Sequence, residues 1–171
     1  QQENSDLIEE FFDDNDGDRW RAGIAPNAGG NGGQPGGQGP NRNPGGGSSR
    51  QLNFGGSLAW LGEDNDLYES GYILKKEESA DPWSHLVNTI DVLNNSDPNE
   101  WPDTLEQVLS VDRVLWMLAL ENIFLDADGY LAKAGDYLLY HDTNTGRIHP
   151  IQHDGNETFN RDATEITGGI H

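Results

Sequence analysis

The 171-residue chain carries 30 Asp and Glu against 10 Lys and Arg, a formal net charge of -20, and only 33% of its residues are apolar. That length suits one domain with a modest core, and the charge opposes general affinity for nucleic acid or an anionic membrane. The absence of cysteine excludes disulfides, thiolate zinc sites and cysteine catalysis.

The acidity reads as a solubility feature that suits a salty or extracellular setting, an acidic cytoplasmic protein being the alternative of equal composition. No run approaches the roughly 18 apolar residues of a membrane span, so membrane insertion is not expected. The start, "QQENSDLIEE", lacks the basic and apolar regions of a signal peptide and has no initiator Met, so a preceding portion of polypeptide is expected.

In chain order, residues 6 to 12, "DLIEEFF", read as a short helix, and Asp16-Gly17 marks a tight turn after it. From Ala25 to about Gln51 the chain is almost wholly Gly, Asn, Pro, Gln and Ser, which reads as a flexible insertion because it has too little apolar surface to offset its ordering entropy. Tyr72, Ile73 and Leu74 form a β-prone piece. Asp81 as N-cap and Pro82 at the first helical position then open a helix, with Trp83, Leu86, Val87, Ile90 and Leu93 on one side. "DTLEQVL" and "SVDRVLWMLALENIFL" read as further helix, the second so apolar from Val114 to Leu125 that it is expected to be the central buried helix. "DYLLYHDTNTGRIHPIQHD" reads as a hairpin whose Asn144 and Gly146 suit positive φ.

Antiparallel strands return to where they began, so the hairpin brings Asp136 and Asp154 towards one end, with Asp128 a loop away. Asp126, Asp128, Asp136, Asp154 and Asn156 offer the hard oxygen ligands that Mg²⁺, Mn²⁺ or Ca²⁺ prefer. In so acidic a chain, solvated turn residues are the plain alternative. An EF-hand loop is excluded: placing Gly17 or Gly129 at its glycine puts Phe12 or Phe124 where the first carboxylate must be. His149 and His153, without a third clear ligand, read as structural. "GGNGGQPGGQG" lacks the strand and helix that flank a phosphate loop. Asn94 and Asn156 head sequons that matter only in a eukaryotic secretory route.

In the order in which they occur, "LAWLGEDNDLYESGYILKK", "WSHLVNTIDVLNN", "VDRVLWMLALENIFLDADGY" and "DYLLYHDTNTGRIHPIQHDGNETF" resemble the CotH family, the spore coat protein H kinases. The likeness runs from about residue 53 to 160 and extends more weakly back to Gln1. Here "DAD" stands for the family's N-W-D, His153 for its Trp, and Asn160 for its Gly.

The resemblance implies an α+β, partial protein-kinase-like fold, mostly the helical C-lobe, with a β-hairpin carrying the metal site. Residues 1–76 would be the remainder of the N-terminal lobe, interrupted by the insertion at 25–51, and 77–171 the C-lobe. It implies ATP-dependent phosphorylation of protein serines with Mg²⁺ or Mn²⁺, Ca²⁺ being an alternative. Asp128 would orient or deprotonate the acceptor hydroxyl. Asp154, Asn156 and Asp136 would hold metal, and Phe159 would pack to fix the loop's direction. The nucleotide-gripping residues are expected upstream of Gln1, so the isolated fragment is expected to be inactive unless another chain supplies the missing lobe. The implied partner is a protein with Ser-rich segments, and the implied location is extracellular or at the cell or spore surface. The rival readings are a non-catalytic coat, adhesive or filament protein on a kinase-like scaffold, and a calcium-stabilised extracellular domain.

Overall fold

Alternating apolar residues on either side of a polar turn produce the hairpin that organises the chain. Strands Tyr137–Asp142 and Arg147–Gln152 pair antiparallel from Tyr137 opposite Gln152 to Asp142 opposite Arg147. The structure, a computed structural model, describes residues 5–13, 15–23, 55–101 and 103–159; the Gly/Asn/Pro-rich segment at 25–51 lies outside them. Gly146 takes the turn's positive φ of 70°, and its N–H donates to the Asp142 carbonyl at 2.8 Å. Asn144, expected to share that conformation, does not. Its N–H is instead held at 3.0 Å by the Asp142 carboxylate, which also accepts from the Thr145 hydroxyl at 2.7 Å. This side-chain capture sets the turn with one left-handed residue.

The described elements run α1 (Ser5–Phe11), β1 (Arg19–Ala22), β2 (Tyr72–Lys76), α2 (Pro82–Asn95), α3 (Val111–Phe124), α4 (Tyr130–Lys133), β3 (Tyr137–Asp142) and β4 (Arg147–Gln152). The chain is α+β, with a four-stranded antiparallel sheet in the order β2-β1-β3-β4. That sheet takes two strands from the segment before residue 77 and two from after it. In β3, Tyr137, Leu138, Leu139 and Tyr140 are all buried, as a central strand covered on both faces requires. At the outer edge of β4, Ile148 bridges Leu109, with backbone bonds to Val108 and Ser110. This contact covers part of an edge that could otherwise recruit another strand.

Asp81 caps α2 as its sequence indicates, accepting from the Ser84 N–H at 3.2 Å, with Pro82 at the first turn. Leu86, Val87 and Ile90 are buried against Trp20, Tyr68, Tyr72 and Leu139, while Trp83 and Leu93 pack on the margin. Each fully buried aliphatic side chain contributes about 2 kcal/mol, enough to anchor a 14-residue helix that is marginal alone.

Two helical expectations change. The segment "DTLEQVL" makes only a 3-10 turn at Leu105–Gln107, because its backbone instead runs on to bond Ile148 through Val108 and Ser110. α3 forms as expected but is not the central buried helix. Among the described residues only Met117 and Glu121 of α3 are buried, whereas Leu115, Trp116 and Ile123 are 61%, 68% and 64% exposed. Its apolar residues surround the helix axis, and the sheet covers one side only. No described helix is long and apolar enough to cross a membrane.

Candidate functional site

The loop after α3 is built by carboxylates that satisfy backbone donors. Leu125 ends α3 at φ 51°, a left-handed cap, and Asp126 follows with its N–H on the Glu121 carbonyl at 3.0 Å. The buried Asp126 side chain accepts from the N–H groups of Asp128 and Gly129 at 3.1 and 3.2 Å, and from Gln152 Nε2 at 2.8 Å. Asp126 therefore belongs to the framework. It ties the loop carrying Asp128 to the end of β4, two residues before Asp154.

Glu121 braces the same loop. Its two carboxylate oxygens accept from the N–H groups of Tyr130 and Leu131, both at 3.0 Å, at the start of α4. Burial pushes its pKa up, against the N–H groups of Leu131 and Tyr130 that favour the anion. Gly129 is required here, because a Cβ would lie 2.7 Å from the Glu121 carboxylate. Neither Glu121 nor Gln152 stood out in the sequence; a lone acid inside an apolar helix run is the signal that could have found Glu121.

Asp128 is mostly buried and ion-paired with Lys133 at the end of α4. Its Oδ1 has no hydrogen-bond partner beyond that cation. Gly135 lies against the Asp128 carbonyl, 3.5 Å from where its Cβ would be, which sets Asp128 beside the entrance to β3. There Asp136 adopts φ 49° and pairs with Arg21 of β1 at 3.4 Å. Across the hairpin the His153 N–H donates to the Asp136 carbonyl at 3.2 Å, extending the ladder to the residue before Asp154. Sequence reasoning did not foresee Arg21 or Lys133, the two cations beside these carboxylates. Arg21 reaches Asp136 only through strand pairing across 115 residues.

Asp154 precedes a 3-10 turn at Gly155–Glu157, where an aspartate ordinarily caps. Asp64, Asp81 and Asp97 do cap their turns or helices, each accepting from a backbone N–H two or three residues on. Asp154 makes no such bond; at φ 53° and ψ 54° it is left-handed and exposed. Asn156, in the turn, is exposed as well. Phe159 is also left-handed at φ 58°, and its N–H donates to the Phe124 carbonyl at 2.7 Å. Its ring meets Phe124 edge-on at 5.6 Å, yet it remains 68% exposed, so the backbone bond does more than ring burial to direct the segment. Between α3 and this segment lies a groove of about 350 Å³ lined by Met117, Leu120, Phe124, Asp126, Gln152 and Phe159.

The described non-glycine residues with positive φ are Leu125, Ala134, Asp136, Asp154 and Phe159. All five flank this loop cluster. Such strain costs about 1 kcal/mol or more per residue and gathers where structure serves a ligand.

Residues 49–169, well over half of the sequence, match the family model described as CotH kinase protein. The chain belongs to the CotH family. No curated protein matches it. The matched stretch of this CotH chain includes Asp128, Asp136, Asp154 and Asn156, and leaves Arg21 outside.

His149, by contrast, is buried away from these carboxylates. It stands edge-on to Phe12 at 5.0 Å and 3.7 Å from Asp142, with neither ring nitrogen hydrogen-bonded. Burial, then the Arg113 charge, lowers its pKa from 6.5 to about 4. It is a neutral core histidine, as expected from the sequence.

Proposed function

We propose that this CotH chain is the catalytic-loop and metal-hairpin part of an ATP-dependent protein serine kinase. The observation that supports it best is Asp154, an aspartate in a capping position that is strained and leaves its own turn uncapped. Together with Asn156 and Asp136 it offers exposed or half-exposed oxygen donors, a set that fits Mg²⁺ or Mn²⁺ better than softer metals. The buried Asp128 Oδ1, with no hydrogen-bond donor beyond its ion pair, fits a role that a substrate hydroxyl completes.

In this reading the metal, when bound, neutralises the phosphate charge of ATP. Asp154, Asn156 and Asp136 hold it. Asp128 accepts a hydrogen bond from the acceptor serine, orients its oxygen for attack on the γ-phosphorus of ATP and takes its proton, as the bond from that phosphorus to the β–γ bridging oxygen breaks and ADP leaves. Lys133 is released from Asp128 as the acceptor arrives and offers its charge to the transferring group. Arg21 orients Asp136. Asp126 and Glu121 hold the loop rigid, so that Asp128 loses little freedom on binding.

The same proposal carries the division into an N-terminal remainder at 1–76 and a C-lobe at 77–171, and a missing lobe supplied by further polypeptide or another chain. It also includes a Ser-rich protein acceptor and an extracellular or cell- or spore-surface location. The uncovered apolar side of α3 supports the missing lobe. It equally favours the second reading, a non-catalytic coat or filament component that packs through that side.

The test is labelling of Ser-rich protein by the full-length protein with ATP and Mn²⁺. The kinase reading predicts transfer that Asp128→Asn abolishes while ATP binding persists. A protein that neither binds nucleotide nor labels any acceptor contradicts it and leaves the assembly reading.

A further inference from the structure

At the other end of the sheet, strand pairing builds a second donor cluster. Arg19 opposes Tyr140 across β1 and β3, so Asp18 faces His141, whose N–H donates to the Asp18 carbonyl at 3.0 Å. Gly17 passes so close to the His141 carbonyl that no side chain fits there. His85 comes from the first turns of α2, set by the Asp81 cap, and its ring stacks on His141 with centroids 4.0 Å apart and planes 17° apart. One ligand atom from each of Asp18, His85 and His141 lies within 4.8 Å of the other two.

The carboxylate is already oriented. Asp18 Oδ1 accepts from the N–H groups of Glu78 and Ser79 at 2.8 and 3.0 Å, and Oδ2 accepts from the Ser79 hydroxyl at 2.5 Å. An oxygen accepts more than one such bond, so Oδ2 retains a lone pair. This outer layer of donors is what a metal-binding carboxylate requires to hold its direction. Asp18 is buried while the two imidazoles are half-buried, which leaves an approach from solvent.

We propose that Asp18, His85 and His141 bind a transition-metal ion of the Zn²⁺ class. Two imidazoles and one carboxylate are an ordinary three-ligand set for Zn²⁺, with water as the fourth ligand. Nitrogen donors select against Mg²⁺ and Ca²⁺, so this site and the oxygen site at Asp154 take different ions. His141 lies five residue steps along the strand from Asp136, about 17 Å at strand spacing, so the ion lies far from phosphoryl transfer. It joins the segment before β1, the start of α2 and the end of β3 in a chain that has no cysteine for a disulfide. Because imidazole lone pairs lie in the ring planes and these planes are only 17° apart, sharing one ion requires the two side chains to rotate out of their stack.

The test is thermal melting of the untagged full chain, stripped with chelator and titrated with ZnCl₂ or MgCl₂. Expected is a rise in Tm of about 4 °C or more at saturating Zn²⁺ with one equivalent bound, and none with Mg²⁺ alone. His85→Gln, at a half-exposed position that the fold tolerates, abolishes the rise, whereas Asp154→Ala retains it. Co²⁺ should give the visible absorption of a four-coordinate nitrogen and oxygen site, lost in His85→Gln. The proposal is overturned by no Zn²⁺-dependent rise, or by one that survives His85→Gln and His141→Gln, which would place binding elsewhere. Retention of the Zn²⁺ effect by a protein that fails to bind nucleotide leaves this site standing and counts against the kinase reading alone.

Discussion

The two ends of the β3–β4 hairpin use acidic residues in opposite ways. At the turn end, Asp142 is buried and both its oxygens accept local donors. At the open end, Asp136 and Asp154 are left-handed, Asp154 caps nothing, and Asn156 is exposed. The difference teaches how to separate framework carboxylates from ligand-binding ones in a very acidic chain. Asp142 is a framework acid whose two oxygens are taken up by nearby N–H and O–H groups; Asp136 and Asp154 stand in strained backbone with oxygens to spare.

The largest expected effect concerns the turn end and pH. His149 has a folded pKa of about 4 against an ordinary 6.5, so on acidification the unfolded chain takes up this proton first. Its contribution is complete above about pH 6.5 and is lost as pH falls towards 4, amounting to up to about 3 kcal/mol. His141, lowered by burial and then by His85, acts in the same direction. Urea denaturation of wild type and His149→Phe between pH 7 and 4.5 should show a shallower pH slope in the variant. Equal slopes would mean that the turn end is not closed to water as described.

Next in size, Asp142→Ala should destabilise by about 2 kcal/mol, since it removes two hydrogen bonds, from the Asn144 N–H and the Thr145 hydroxyl, each contributing about 1 kcal/mol. Asp154→Ala, in the absence of ligand, should change stability by less than about 0.5 kcal/mol. Similar losses at both positions in chemical denaturation would erase the contrast between the ends. Asp154→Gly sharpens it further. Glycine relieves the left-handed backbone and should stabilise the ligand-free protein by up to about 1 kcal/mol, while removing the carboxylate proposed to hold metal. A gain in stability with a loss of metal binding is the expected pairing.

The smallest effect tests α3. Ile123→Ser should alter the stability of the isolated chain by less than about 0.5 kcal/mol, whereas Ile90→Ala in α2 should cost about 3 kcal/mol. A large loss at Ile123 would show that the outer side of α3 is covered in solution.

Local signals made much of this architecture legible. Asp81-Pro82 marked the start of α2, and the alternation around Gly146 marked the hairpin. The convergence of Asp136 and Asp154 follows from strand direction alone. What was not legible depends on distant pairing. Arg21 beside Asp136, and Asp18 opposite His141, arise because β1 inserts between β2 and β3, and no spacing within the sequence announces that order. The exposure of α3 escaped because hydrophobicity reports a need for burial and not its fulfilment. The role of Asp126 escaped because a structural carboxylate and a ligand look alike until their donors are known.

The most direct test of the central claim, that Asp154 belongs to a metal–phosphate clamp, is the melting temperature of the full-length protein with and without ATP and Mn²⁺, measured beside Asp154→Ala. A ligand that binds only the folded state must raise its stability. The account predicts a rise that needs both nucleotide and metal and disappears in Asp154→Ala. No rise in wild type, or an equal rise in the variant, would contradict it.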